Sequence, residues 1–147
     1  METCLLEACK FGRLAKVKEY LASSKHKANL NICDEYGNTP LILSSGNGHA
    51  DVVTVLVKEG ADVNVKNGLG ATALHWACTY GNIKVVRILI DDTPTEPSLR
   101  IDKDAQNFIY GKTALMNAVT YNHREIVKFL IESGADKELK DAVRQID

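Results

Sequence analysis

An all-α array of repeated helical units is predicted for this chain of 147 residues, and three observations carry the prediction. The stretch "YGNTPLILSSGNGHADVVTVLVKEGADVN" returns as "LGATALHWACTYGNIKVVRILI" and again as "YGKTALMNAVTYNHREIVKFLIESGAD". Thr39 and Thr72 stand 33 residues apart within these copies, and Thr113 follows after 41. Eight of the ten glycines fall at matching positions, which chance would rarely arrange.

Taken in order, each unit reads as two helices and a finger. The first, "TCLLEACKFGRLAKVKEYL", fits the template at Thr3 and carries a lengthened polar tail, "ASSKHKANLN", that includes His26. In the later units a threonine before an apolar stretch signals a helix N-cap, and Pro40 sits where a first-turn proline is tolerated. Leu41, Leu74 and Leu115 start the short first helices. Gly12, Gly48 and Gly81 end them in a left-handed conformation, and Asn122 takes that place in the fourth unit. Second helices follow with apolar residues at helical spacing: Val52, Val53, Leu56 and Val57; Val85, Val86, Leu89 and Ile90; Ile126, Val127, Leu130 and Ile131. Gly60 and Gly134 close two of them. Gly37, Gly70 and Gly111 mark the finger turns. The units span about 1–33, 34–66, 67–107 and 108–141 of a single domain.

The third unit departs from the template. Where the second has "KEGADVN", it has "DDTPTEPSLRID", with Pro94 and Pro97 and no glycine. That segment cannot continue the helix and is expected to be an irregular loop, either a tolerated insertion or an exposed segment open to phosphorylation. The next finger, "DAQNFIYGK", also reads as lengthened, which leaves its alignment open by a residue or two.

"NTPLILSSGNGHADVVTVLVKEGADVN" and "ATALHWACTYGN" resemble the ankyrin repeat family, matching its Thr-Pro-Leu-His-x-Ala and Gly-His/Asn features over nearly the whole chain. The resemblance implies four stacked helix–turn–helix units with β-hairpin-like fingers at about a right angle, in a curved, L-shaped solenoid. It also implies that Thr72 and His75 bond to each other while His75 reaches a neighbouring repeat, so that His75 is a structural bracket.

Composition bounds the chemistry. A net charge of -1, with 45% hydrophobic and 25% charged residues, suits a globular chain and argues against broad attraction to nucleic acid. The N-terminus lacks the basic start and apolar run of a secretory signal, and no apolar run reaches membrane-spanning length. Cys4, Cys9, Cys33 and Cys78 are scattered without a CxxC pair, so a reducing compartment, cytoplasmic or nuclear, is expected. No metal site, cofactor or phosphate-binding loop is expected. Cys78 aligns with Cys9, Ser45 and Val119 as a row of small side chains where helices pack. His49 and His123 read as turn and cap groups. Asp91–Asp92 and Asp102/Asp104 lie in or beside the insertion as solvated charge. No nucleophile is paired with a base, so the chain is not expected to be an enzyme.

Function is therefore expected on the surface that the repeats share. The finger-tip row is Tyr36, Leu69 and Tyr110, the mid-helix row Glu7, Leu43, Trp76 and Asn117, and the row before the helix turn Phe11, Asn47, Tyr80 and Tyr121. Six of nine aromatics map to these rows on the concave side, with Tyr20 and Phe129 in the core and Phe108 set aside in the lengthened finger. Glu7, Lys10, Glu35, Asn38 and Lys112 form a mixed polar rim. Rings of this kind are favoured anchors in protein interfaces. A non-enzymatic module binding a protein or peptide, as scaffold or adaptor, is the leading expectation, with Trp76, Tyr80 and Tyr121 as anchors. Truncation of Trp76 is expected to leave thermal stability nearly unchanged. Two further readings stay open. One is a stoichiometric inhibitor of an enzyme such as a kinase, by resemblance in architecture. The other is a substrate of an asparaginyl hydroxylase at Asn64, whose context, with Leu56 and Asp62 before it, resembles that of known targets and is also finger consensus. A monomer is expected, with self-association through the fourth repeat as the alternative.

Overall fold

A computed structural model describes residues 2–23, 29–93 and 100–139. They form eight α-helices: α1 (Glu2–Lys10), α2 (Leu14–Ser23), α3 (Pro40–Gly46), α4 (Ala50–Lys58), α5 (Ala73–Thr79), α6 (Ile83–Asp91), α7 (Ala114–Thr120) and α8 (Arg124–Glu132). One antiparallel pair falls in each expected unit. The odd-numbered helices pack in one layer, the even-numbered in a second, and each pair packs on the next. Among the described residues there is no strand, and none of the helices is long and apolar enough to cross a membrane.

Local signals account for the elements. Thr39, Thr72 and Thr113 are extended residues whose hydroxyls accept the backbone N–H of Ile42, His75 and Met116, as N-caps do. Thr3 lies inside α1 rather than before it. Leu5, Leu41 and Leu74 of the inner helices meet Val17, Val52, Val53, Leu56, Val85, Val86 and Leu89 of the outer ones, all almost fully buried. Each finger closes on an Asx turn. Asp34 Oδ1 accepts from the N–H of Tyr36 and Asn38, and Asn67 Oδ1 from Leu69 and Ala71. Asn107 Oδ1 accepts from Tyr110 and Lys112. Its backbone bond runs to Lys112, where Asn67 bonds four residues on to Ala71, so the last finger is longer by one residue.

The repeats are stitched by side chains that cross between them. His49 Nε2 lies 3.0 Å from the Lys10 carbonyl and His123 Nε2 3.0 Å from that of Thr79; a carbonyl only accepts, so each Nε2 carries the proton. Asn82 Nδ2 donates to the Ser45 carbonyl at 2.9 Å and that of Gly46 at 3.2 Å. The two histidines were expected to be turn and cap groups of their own helices. Neither they nor Asn82 makes a side-chain cap bond, because the helix-start position aims the side chain at the preceding repeat. Fingers join through Gly68 N–H to the Tyr36 carbonyl and Phe108 N–H to that of Leu69, both 2.9 Å. At the finger bases, Asn31, Asn64 and Asp104 each accept the N–H of the next unit's aspartate.

The row of small residues is only partly a packing row. Cys9, Ser45 and Cys78 are fully buried, whereas Val119 is 60% exposed, because the fourth pair packs on nothing beyond it among the described residues. Val119, Val127 and Ile131 line an open hollow of about 270 Å³ there with Leu115, Met116 and Leu139. His26, Pro94 and Pro97 lie outside the described residues, so the loop expected there does too.

Gly81 shows how close the stitched repeats are. It has φ +73°, and a Cβ there would stand 2.6 Å from the His123 ring, whereas Gly60, at φ +89°, faces open space. Gly60→Ala should lose about 1–2 kcal/mol from the left-handed backbone alone. Gly81→Ala should lose roughly 1 kcal/mol more by crowding the bridge. Urea denaturation midpoints compare the two, and equal losses would contradict the tight approach.

Candidate functional site

The fingers and inner helices bring most of the expected surface residues together. Trp76 lies mid-helix on α5 and Tyr80 four residues later as its C-cap, so the two rings share one helix face. They stack with centroids 5.7 Å apart and planes within 9°. Tyr121, the C-cap of α7, stacks on His123 at 6.5 Å. Three open hollows meet at Trp76. One of about 340 Å³ is lined by Leu69, Trp76, Tyr80, Ile109, Tyr110, Lys112, Asn117 and Tyr121. A second, about 430 Å³, adds Asn38, Leu43 and Asn47 beside Trp76 and Tyr80. A third, about 580 Å³, lies between the first two finger tips, with Glu35, Tyr36, Asn67 and Leu69 over Trp76.

Exposure sorts the candidates. Tyr36, Tyr80, Tyr110, Tyr121 and Phe11 are each more than half exposed, and Leu69 nearly so. Leu43, Asn117 and Lys112 are half-buried. Asn117 already donates to Thr79 Oγ1 at 3.2 Å. Phe11 stands apart from the three hollows, on the first repeat, with Lys10 and Arg13 over its ring at 5.6 and 5.4 Å.

Trp76 needs a correction. It is half-buried, packs against the core and lies over Gly46. Its Nε1 is buried without a hydrogen-bond partner among the described residues, so the indole offers a face rather than a donor. Its truncation would open a gap between α3 and α5 and cost stability, contrary to the sequence expectation.

Two further apolar residues of the fourth finger are exposed, and Ile109 lines the first hollow. Phe108 is 69% exposed, the most exposed aromatic, and Ile109 is 53% exposed. Three successive large apolar residues in a finger turn were the available signal; the extra residue pushes them outward.

His75 is a bracket. Its Nε2 lies 2.9 Å from the Lys112 carbonyl and so donates; Nδ1 accepts from the Thr72 N–H at 3.1 Å and from the hydroxyl at 3.0 Å. Burial, first, and the Lys66 charge lower its pKa from 6.5, against the Lys112 carbonyl and Asp102, which raise it. Burial pushes the thiols of Cys9 and Cys78 up to about 12. Neither is thiolate at neutral pH, and neither serves as a nucleophile. No group of three or more potential ligands is placed to hold a metal among the described residues. Asn64 is half-buried and clamped to the third repeat, Nδ2 donating to the Arg100 carbonyl at 2.8 Å and Oδ1 accepting the Asp102 N–H at 2.7 Å.

A family profile described as ankyrin repeats (3 copies) matches residues 1–67 and 59–141. The chain belongs to the ankyrin repeat family. Over 114 residues it is 31% identical to "Protein fem-1 homolog A-like" of Mus musculus, covering 78% of this chain and 16% of that protein. Over 78 residues it is 40% identical to "Probable E3 ubiquitin-protein ligase XBOS33" of Oryza sativa subsp. japonica, covering 53% and 14%. It is also 32% identical over 124 residues to human "SMC5-SMC6 complex localization factor protein 1", covering 84% and 11%. The chain thus spans under a fifth of the length of these relatives. Ankyrin repeats are protein-interaction modules, generally without enzymatic activity.

Neutral His75 belongs to the folded stack, so the sign of its pH dependence follows. With its folded pKa lowered below 6.5, its stabilisation is present above the unfolded value and lost as pH falls through the folded one. Wild type should unfold more readily in urea at pH 5 than at pH 7. His75→Met, which copies the fourth repeat, should lose less over the same interval. An equal or larger loss in the variant would contradict the bracket.

Proposed function

We propose that the finger and inner-helix face of repeats two to four binds a protein or peptide partner, and that the protein acts as a non-enzymatic scaffold or adaptor. One observation carries this reading: three hollows meet at Trp76, whose ring stacks on Tyr80, and they are rimmed by Tyr36, Leu69, Ile109, Tyr110 and Tyr121. Exposed contiguous apolar surface of this kind marks a partner site. Aromatic rings bury about 150–250 Å² each when covered. Trp76 serves as the rigid floor, and Tyr80 and Tyr121 as the anchors that a partner covers. Leu43, Asn117 and Lys112 shape the edges.

Relatives with unlike names share this stretch, which supports a portable module rather than one reaction. Inhibition of an enzyme such as a kinase rests on architecture alone. Modification at Asn64 has less support, since an enzyme would first have to open two inter-repeat hydrogen bonds. The four cysteines stand as free thiols, in keeping with a cytoplasmic or nuclear protein.

Peptides selected from a displayed random library against the whole chain test the face. Tyr80→Ala/Tyr121→Ala should weaken their binding by roughly 30-fold or more, about 2 kcal/mol, while thermal unfolding stays close to wild type. Unchanged affinity in the folded double variant would remove the site.

A further inference from the structure

The hollows that meet at Trp76 differ in charge at their two ends. The one between the first two finger tips has Glu35 in its lining. The one between Tyr80 and Tyr121 has no carboxylate, and Lys112 lies at its edge. The Lys112 ammonium stands 5.8 Å over the Tyr110 ring, and that of Lys66 stands 5.3 Å over Phe108. Lys66 also donates to the Gln106 carbonyl at 3.0 Å. Neither lysine has a carboxylate within 4.0 Å among the described residues, where the ion pairs are Arg13–Glu7, Lys16–Glu19, Arg87–Glu125 and Lys128–Glu132. Two cations without a carboxylate partner therefore sit over rings of the fourth finger: Lys112 in the lining of the apolar hollow, and Lys66 over Phe108, the residue before Ile109 of that lining.

We propose, resting on the binding face argued above, that the partner is an extended acidic peptide segment: a branched aliphatic or aromatic side chain seats between Tyr80 and Tyr121, and neighbouring Asp or Glu residues pair with Lys112 and Lys66. The apolar side chain supplies contact area, and the carboxylates supply orientation and selectivity. Segments with basic flanks are repelled at the same end, which is how charge discriminates among partners. Single-stranded RNA offers rings and negative charge too. It needs a continuous cationic groove, however, and Glu35 interrupts this one.

Short labelled synthetic peptides with one Phe-Leu anchor, flanked by Asp/Glu, by Ser or by Lys, test the proposal by fluorescence anisotropy. The acidic peptide should bind at least about tenfold tighter than the lysine one, with serine between. Lys66→Glu should narrow the gap, and Lys66→Glu/Lys112→Glu should reverse the order. A serine or lysine peptide that binds tightest overturns the proposal, as does a ranking unchanged in the double variant, no binding by any peptide, or equal competition by a mixed-sequence single-stranded RNA. If binding needs Tyr80 and Tyr121 but ignores flank charge, the acidic preference alone fails. If the acidic preference survives Tyr80→Ala/Tyr121→Ala, the face itself is misplaced.

Discussion

Each repeat must come close enough to its neighbour for a side chain on one to reach a backbone carbonyl on the other, and the rest of the molecule follows from that approach. His49 and Asn82 reach across to the first helices before them, His123 does the same one repeat later, and His75 reaches forward to the fourth finger. Such bonds are worth about 0.5–1.5 kcal/mol each in net terms, so they set register more than they supply stability. The buried leucines and valines supply the stability. The approach itself requires glycine at Gly12 and Gly81, where a histidine ring takes the space of a Cβ. It also requires small side chains at Cys9, Ser45 and Cys78.

Close stacking decides what remains outside. A seam that admits only cysteine or serine leaves no room for the rings on the C-cap and finger-tip rows, so Tyr36, Tyr80, Tyr110 and Tyr121 face water. Trp76 is the exception that gives this face its shape. Its half-buried indole lies over Gly46 of α3 and becomes the floor that all three hollows share. A rigid floor with exposed tyrosines around it loses little conformational entropy when a partner arrives. Fold and proposed binding face are thus two results of one packing rule.

How much of this was legible in the sequence depends on whether a residue acts within its own repeat or between repeats. The helices were legible because the N-cap threonines, positive-φ glycines and apolar spacing act locally. The His75 bracket was legible through the family resemblance. The roles of His49, Asn82 and His123 were not: local rules make them caps, and only the stacked geometry shows where their side chains end. Val119 was placed in the seam by alignment, yet a seam residue is buried only where something packs on it. Phe108 and Ile109 were missed because one inserted residue changed the finger's phase. For Trp76 the row was right and the depth wrong, since depth is set by how neighbouring helices pack around the ring.

The central claim is geometric: stitched repeats with small seams turn their large rings toward one open face. Relaxation of the tyrosine ring protons by a soluble paramagnetic agent measures it most directly. Tyr36, Tyr80, Tyr110 and Tyr121 should relax strongly and half-buried Tyr20 less so. Protection of Tyr80 and Tyr121 to the level of Tyr20 in the free protein would contradict it.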